Sequence, residues 1–306
     1  MASRLSTGGN PRRLTMLLQA LNKPPFRALK RNWPLYFCEA IELALFMLSA
    51  CAFTIFLFDP SWPGFHLFPG AITRRAVMGI SMGITGVLII QSPLGKRSGA
   101  HFNPAITLTY FRLGKIALWD AVFYVFFQFI GGVLGVAVSA TIFRSSLSKP
   151  AVNYLVTVPG RYGTAAAFFA ELFMATVLMA VVLVLSNRAY LAGYVSYHVG
   201  ALIALYAFFF APVSGFSINP ARTTGSAFFA GVWTAGWLYF VAPLLGMFTA
   251  AEVYVRINGD DRVLCAKLHP DNSFPCPFLC HFPGHRHMLP PHAQDIRPLA
   301  HGTDTL

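Results

Sequence analysis

Apolar residues run in six long stretches, at 34–58, 73–92, 117–143, 164–186, 190–211 and 233–257, separated by shorter polar turns. Each covers the roughly 20 residues that a membrane-spanning helix needs. Two further stretches, 103–113 and 219–230, are too short to span. Each follows a span and a Gly-containing loop, and each opens on Asn-Pro-Ala. The first reads Asn103-Pro104-Ala105 and the second Asn219-Pro220-Ala221. Asn caps helix N-termini well, and Pro is favoured at the first helical position. The pattern therefore predicts two half-helices on re-entrant loops. Short helices that begin inside a bilayer point to a narrow pore.

The two halves of the chain repeat one another. Glu39 opens a run ending Leu45-Phe46-Met47, and Glu171 opens the similar run Leu172-Phe173-Met174. Each run is followed by a second span, then by Ser-Gly, then by Asn-Pro-Ala, then by a third span. Three spans per unit force the second unit to be inverted, so the half-helices enter from opposite faces and meet near the midplane. Inverted repeats with broken helices at their centre are a general pattern of membrane transport proteins. The expected fold is an all-α membrane protein of six transmembrane helices and two half-helices. The expected organisation is a polar basic segment at 1–32, a channel-like domain at 33–257 (repeats at about 33–143 and 164–257), and a tail at 258–306.

Composition agrees with the membrane. Hydrophobic residues make up 56% of the 306 and charged residues 11%, against about 25% charged in soluble domains. The mean hydropathy is +0.57. A net charge of +12 would suggest nucleic acid in a soluble protein, but here the basic residues flank apolar spans, and no nucleic-acid partner is expected. Most of the 23 Lys and Arg fall on segments predicted inside, and only Arg74, Arg75, Arg144, Lys149 and Arg161 on those predicted outside. The positive-inside rule then puts both termini in the cytoplasm of a multi-pass protein of the cell membrane. The N-terminal segment does not have the form of a cleavable leader. Five cysteines, two in the first span and three in the tail, do not form an extracellular disulfide framework.

The residues about 34–257 closely resemble the major intrinsic proteins, the aquaporin family. The resemblance rests on both Asn-Pro-Ala boxes, Arg222 after the second, Glu39 and Glu171 at matching places, Gln128 with Gly131-Gly132, and Pro243 with Gly246. Val156-Thr157-Val158-Pro159-Gly160 is similar to the nodulin-like and bacterial members. The resemblance implies a homotetramer with one pore per subunit, lodged in lipid, passing water and small solutes without a cofactor or catalysis. It also implies that Glu39 and Glu171 brace loop backbone, and that His101 sits in the vestibule or braces a loop. Each half-helix N-terminus carries about half a positive charge. Asn103 and Asn219 cap with their oxygens and offer their amide NH2 groups to the lumen.

The resemblance places the selectivity filter at Met82, Ala207, Phe216 and Arg222, with Gly83 an alternative to Met82 because the loop at Pro93–Arg97 runs one residue longer than usual. Water-selective members carry His where this chain has Ala207, and glycerol-conducting members carry Asp where it has Thr223. The expected filter is wider and more apolar than a water-only one and admits glycerol, urea, ammonia or hydrogen peroxide. The alternative is a water-selective pore, with Met82 folded over the gap.

Three rival readings remain. In the tail, Cys276, Cys280, His281, His285 and His287 are weak candidates for a metal, set against a disordered Pro- and His-rich tail without one. A membrane enzyme needs a nucleophile and base, and His198, the histidine well inside a span, has no acid nearby in sequence. A non-conducting structural protein would not need both boxes and Arg222. Glu42, one turn from Glu39, has no assigned role.

Overall fold

The computed structural model describes residues 25–283. Among these, six helices are long and apolar enough to cross a membrane. They and the two half-helices run, in chain order, as α1 (Pro25–Phe58), α2 (Ala71–Gln91), α3 (Pro104–Arg112), α4 (Leu118–Phe143), α5 (Gly163–Ser186), α6 (Val195–Ser214), α7 (Pro220–Ala230) and α8 (Leu238–Asn258). The expected order of span, span, half-helix, span therefore occurs twice.

The limits differ from the hydropathy pattern mainly at polar ends. Helix α1 begins at Pro25, nine residues before the apolar run, and carries Pro34 inside it. Its polar start is tied down: Asn32 Nδ2 and Tyr36 Oη both donate to Asp120 Oδ1, at 2.8 and 2.6 Å. Asp120 lies in the first turn of α4, where the helix dipole favours a carboxylate. Helix α6 starts later than its apolar run and continues through Pro212 to Ser214.

Packing follows the repeat. Helix α1 lies along α4, α5 along α8, and α2 meets α6 between the halves. Each half-helix crosses over: α7 packs on α4, and α3 on α8 as well as α4. Close contact with α7 requires glycine. A Cβ on Gly132 would run into the Ala221 carbonyl oxygen, and one on Gly225 into that of Gly132. Large apolar side chains such as Ile80, Leu88, Phe126, Phe169, Leu205 and Phe209 stand on the outside. Trp33, Trp233, Tyr194 and Trp237 are exposed toward helix ends, as in the aromatic belts of membrane proteins.

The tail differs from expectation. Residues 259–283 have only a short 3-10 turn, yet Cys265, Ala266, Leu268, Cys276, Phe278, Cys280 and Phe282 are buried. Backbone bonds hold the segment to the first re-entrant loop and its surroundings: Leu268 N to Gly99 O at 3.0 Å, and Leu279 N to Lys115 O at 3.0 Å. Scattered apolar side chains filling separate niches leave no periodic signal, so a Pro-rich stretch of this kind reads as structureless. Residues 284–306, with the metal candidates His285 and His287, lie outside the described residues, as do 1–24.

Substituting Gly225 by Val should push α7 away from α4. Overpacking of this kind costs about 1–3 kcal/mol, and the expected result is a lower unfolding temperature in detergent, measured by loss of monodisperse protein on heating. An unchanged temperature would contradict the close contact.

Candidate functional site

Each half-helix begins where its asparagine leaves the extended region: Asn103 at φ −152° and Asn219 at φ −146°. Asn103 Oδ1 accepts from Ala105 N at 2.9 Å, and Asn219 Oδ1 from Ala221 N and Arg222 N at 3.1 and 3.2 Å. The amide nitrogens cross to the opposite loop. Asn103 Nδ2 donates to Ile218 O at 2.9 Å, and Asn219 Nδ2 donates to Phe102 O at 2.8 Å. The N-termini of α3 and α7 therefore face each other. An amide NH2 has two protons, so one on each Asn ties the loops together and one remains for the lumen. The tie between the loops was not anticipated from the sequence.

The carbonyls those bonds need are presented by unusual backbone. Phe102 and Ile218 have φ of +29° and +47°, and Ala100 and Phe216, two residues earlier, have +57° and +51°. Such conformations cost of order 1–3 kcal/mol each and persist only where the surroundings hold them. The two membrane acids do this. Glu39 accepts from His101 N at 3.0 Å, Phe102 N at 2.6 Å and Gln128 Nε2 at 2.7 Å. Glu171 accepts from Ser217 N at 2.9 Å, from Ser214 Oγ at 2.7 Å and from Ile218 N.

Glu42 fits the same scheme. Its Oε1 accepts from Ser98 Oγ at 2.7 Å, and Ser98 Oγ in turn accepts from Ala100 N. In the second loop Ser214 accepts from Phe216 N, and Glu171 serves Ser214 itself. The first loop thus uses two acids where the second uses one. Two tyrosines complete the pair: Tyr124 Oη donates to Ser98 O at 2.7 Å, and Tyr239 Oη to Ser214 O at 2.6 Å. The sequence reading missed both, although their similar offsets past the two boxes, 21 residues after Asn103 and 20 after Asn219, were a usable signal.

A cavity of about 400 Å³ runs past both asparagines, from Phe58 and Arg75 at one end to Leu268 at the other. Met82, Ala207, Phe216 and Arg222 all line it. Gly83 instead faces α6, where a Cβ would lie 2.5 Å from Gly200 O; the side chain on the cavity is Met82. Phe46, Phe102, Ile106, Leu178 and Ile203 make most of the remaining wall apolar. Arg222 is buried and donates from Nη1 to Leu155 O at 3.0 Å. Leu155, at φ +57°, also lines the cavity and went unnoticed in the sequence. Its loop starts at Lys149, whose ammonium sits 2.7 Å from Asp59. Burial alone would raise the Asp59 carboxyl, but Lys149 and the Ser61 N–H and hydroxyl outweigh it and bring it down to about 2. Thr223 is turned away, bonded to Thr157 and Ser217.

His101 is wholly buried on the cavity wall. Its Nε2 donates to Ala266 O at 2.6 Å, its Nδ1 pairs with Thr107 Oγ1 at 3.1 Å, and its ring stacks on Phe278 with centroids 5.3 Å apart. It therefore joins the first loop to the tail. Of the tail's metal candidates, Cys276 and Cys280 come together with Cys265, which the sequence reading did not include. His281 N donates to Leu264 O at 2.8 Å. Burial pushes the Cys276 thiol up to about 12 and pulls the Lys267 ammonium below the usual lysine range, against the opposing pull of the three cysteines.

Glu171→Gln removes the charge that three donors share. Charge-assisted bonds contribute about 1.5–3 kcal/mol, so the variant should unfold at a lower temperature than Tyr239→Phe, which loses one neutral bond worth about 1 kcal/mol. Thermal scans of both proteins in one detergent check the order.

Comparison with known proteins places this arrangement. The family model described as "Major intrinsic protein" matches residues 30–254. The chain is similar to "Probable aquaporin NIP-type" of Nicotiana alata, 34% identical over 180 residues. That match covers 58% of this chain and 64% of the relative, so it spans just under two thirds of the relative's length. It is also similar to "Aquaporin Z" of Rhodopseudomonas palustris, 29% identical over 187 residues, covering 58% of this chain and 78% of the relative. Among solved structures, the aquaglyceroporin from Plasmodium falciparum shares the fold with a TM-score of 0.61 at 20% identity, over 73% of this chain and 96% of that one.

Proposed function

Because the chain belongs to the major intrinsic protein family, we propose that it is a passive membrane channel for water and small neutral solutes that turns back protons and ions. The observation that carries the reading is the pair of half-helix N-termini facing one another across a cavity lined by Asn103, Asn219 and Arg222. The two N-termini each carry about half a positive charge, and Arg222 adds a whole one. A cation entering between them meets this field in a narrow, mostly apolar tube, with little water to screen it. A water molecule there receives N–H donors from both asparagines. Its oxygen accepts on both sides, so its own protons point away along the pore and a proton cannot be handed through it.

The solute is set by Met82, Ala207, Phe216 and Arg222. Ala207 offers neither bulk nor a donor, and Phe216 and Met82 supply apolar surface. A polyol needs donors along one side and apolar wall along the other, and this set supplies both. The relatives' names support solute passage: one is a NIP-type aquaporin and the structural neighbour an aquaglyceroporin. His101, Asn103, Asn219 and Arg222 at the cavity are tied to backbone, which suits them to donating and accepting bonds rather than to catalysis. The apolar outer faces fit lipid and a homotetramer. The basic residues Arg27, Lys30, Arg31, Lys96, Arg97 and Arg112 support cytoplasmic termini in a cell membrane.

Proteoliposomes placed in a glycerol gradient should shrink and then reswell faster than empty vesicles. Shrinkage without reswelling would identify a water-selective pore instead. In Ala207→His the ratio of glycerol to water flux should fall about tenfold, if the added bulk raises the glycerol barrier by about 1.4 kcal/mol.

A further inference from the structure

We propose that Cys265, Cys276 and Cys280 bind one thiophilic cation, zinc(II) or copper(I), and that this cation clasps the 263–283 segment over one end of the cavity. The metal site stands on its own geometry, while the closing role rests on the channel reading above.

The three sulfurs lie within 4.8 Å of one another, all buried. Cys265 Sγ and Cys276 Sγ are 3.4 Å apart, and none of the three is in a disulfide. In a tetrahedral site with metal–sulfur bonds near 2.3 Å, adjacent sulfurs sit about 3.8 Å apart, so small side-chain shifts bring the trio onto one ion. The backbone is already shaped for bound sulfur. Lys267 N donates to Cys265 Sγ and Phe282 N to Cys280 Sγ, both at 3.4 Å and both from two residues downstream. Such N–H donors stabilise charge on a thiolate. A set of three sulfurs with no carboxylate selects soft or borderline metals over magnesium and calcium. As the three sulfur–metal bonds form, the three S–H protons leave to solvent, and no electron is transferred. A cytoplasmic tail would meet a reducing compartment, which keeps the thiols available.

The clasp sits beside the closure. Leu268, three residues after Cys265, lines the end of the cavity and is buried. Between them, Ala266 O accepts from His101 Nε2 on the cavity wall, and Lys267 Nζ donates to Lys96 O at 2.7 Å and to Phe274 O at 3.0 Å. Phe278, between the other two cysteines, stacks on His101. Joining residues 265, 276 and 280 through one ion closes a loop that fixes Leu268 and Phe278 together. Losing the ion leaves apolar packing and scattered single hydrogen bonds to hold them.

The test uses the full chain, purified reduced, exposed to zinc(II) or to copper(I) in separate arms, and dialysed. Elemental analysis should find about one metal ion per chain in the wild type and none above background in the Cys265→Ser/Cys276→Ser/Cys280→Ser variant. Cobalt(II) added to the wild type should give sulfur-to-cobalt charge-transfer absorption that zinc abolishes, which reports the ligands without relying on function. In proteoliposomes, water permeability should rise about tenfold on chelation, the change expected if about 1.4 kcal/mol of closure is lost, and should rise likewise in Leu268→Ala without chelation. No retained metal in either arm, or a Cys265–Cys276 disulfide found by mass spectrometry in its place, overturns the metal site. Retained metal with permeability indifferent to chelation, while Leu268→Ala conducts, overturns the clasp. Retained metal with vesicles that stay impermeable in every state counts against the channel reading and leaves the site standing.

Discussion

Two hydrogen bonds hold the centre of this protein: Asn103 Nδ2 to Ile218 O and Asn219 Nδ2 to Phe102 O. They are reciprocal, each joining one half-helix cap to the backbone of the other loop. Everything nearby is arranged to let them form. The carbonyls point correctly only because Phe102 and Ile218 adopt positive φ, and those conformations survive because Glu39 and Glu171 accept the N–H groups that the strained loops would otherwise leave unpaired inside the membrane. A buried unpaired donor costs about 1–3 kcal/mol, so a carboxylate that takes several of them stabilises a geometry the chain does not choose locally.

The same arrangement explains the acids in the spans. A carboxylate at membrane depth is expensive unless it is paired, and neither Glu39 nor Glu171 has a direct salt bridge among the described residues. Their compensation comes from backbone N–H groups, the Ser214 hydroxyl and the Gln128 amide. Glu42 shares the load with Glu39 in the first loop, while the second loop manages with Glu171 alone. The repeat is thus symmetric in backbone and asymmetric in its side chains. His101 stands where the other loop has Ser217, and its side chain bonds to the tail at Ala266 O.

Sequence reading recovered the features that are local or periodic. The spans came from apolar runs that only a bilayer requires. The half-helices came from Asn and Pro at the positions where a helix start needs them, and the inversion came from counting spans between the two boxes. Arg222 was legible because a cation in a first turn opposes the dipole and so calls for another reason. Met82 over Gly83 was undecided, because one residue of loop length changes which side of α2 faces inward. Packing settled the geometry: Gly83 is needed where α2 and α6 touch.

What the chain alone determined is the membrane class, the doubled order of elements and the residues that open each half-helix, since these follow from periodicity, capping and charge. What only the tertiary structure decided is who partners whom across long separations. The bonds from Asn103 to residue 218, from Arg222 to Leu155 and from His101 to Ala266 join positions far apart in sequence and carry no period. The packed tail belongs to the same group. Its prolines and scattered cysteines describe no regular element, and its order arises from niches that other parts of the chain create.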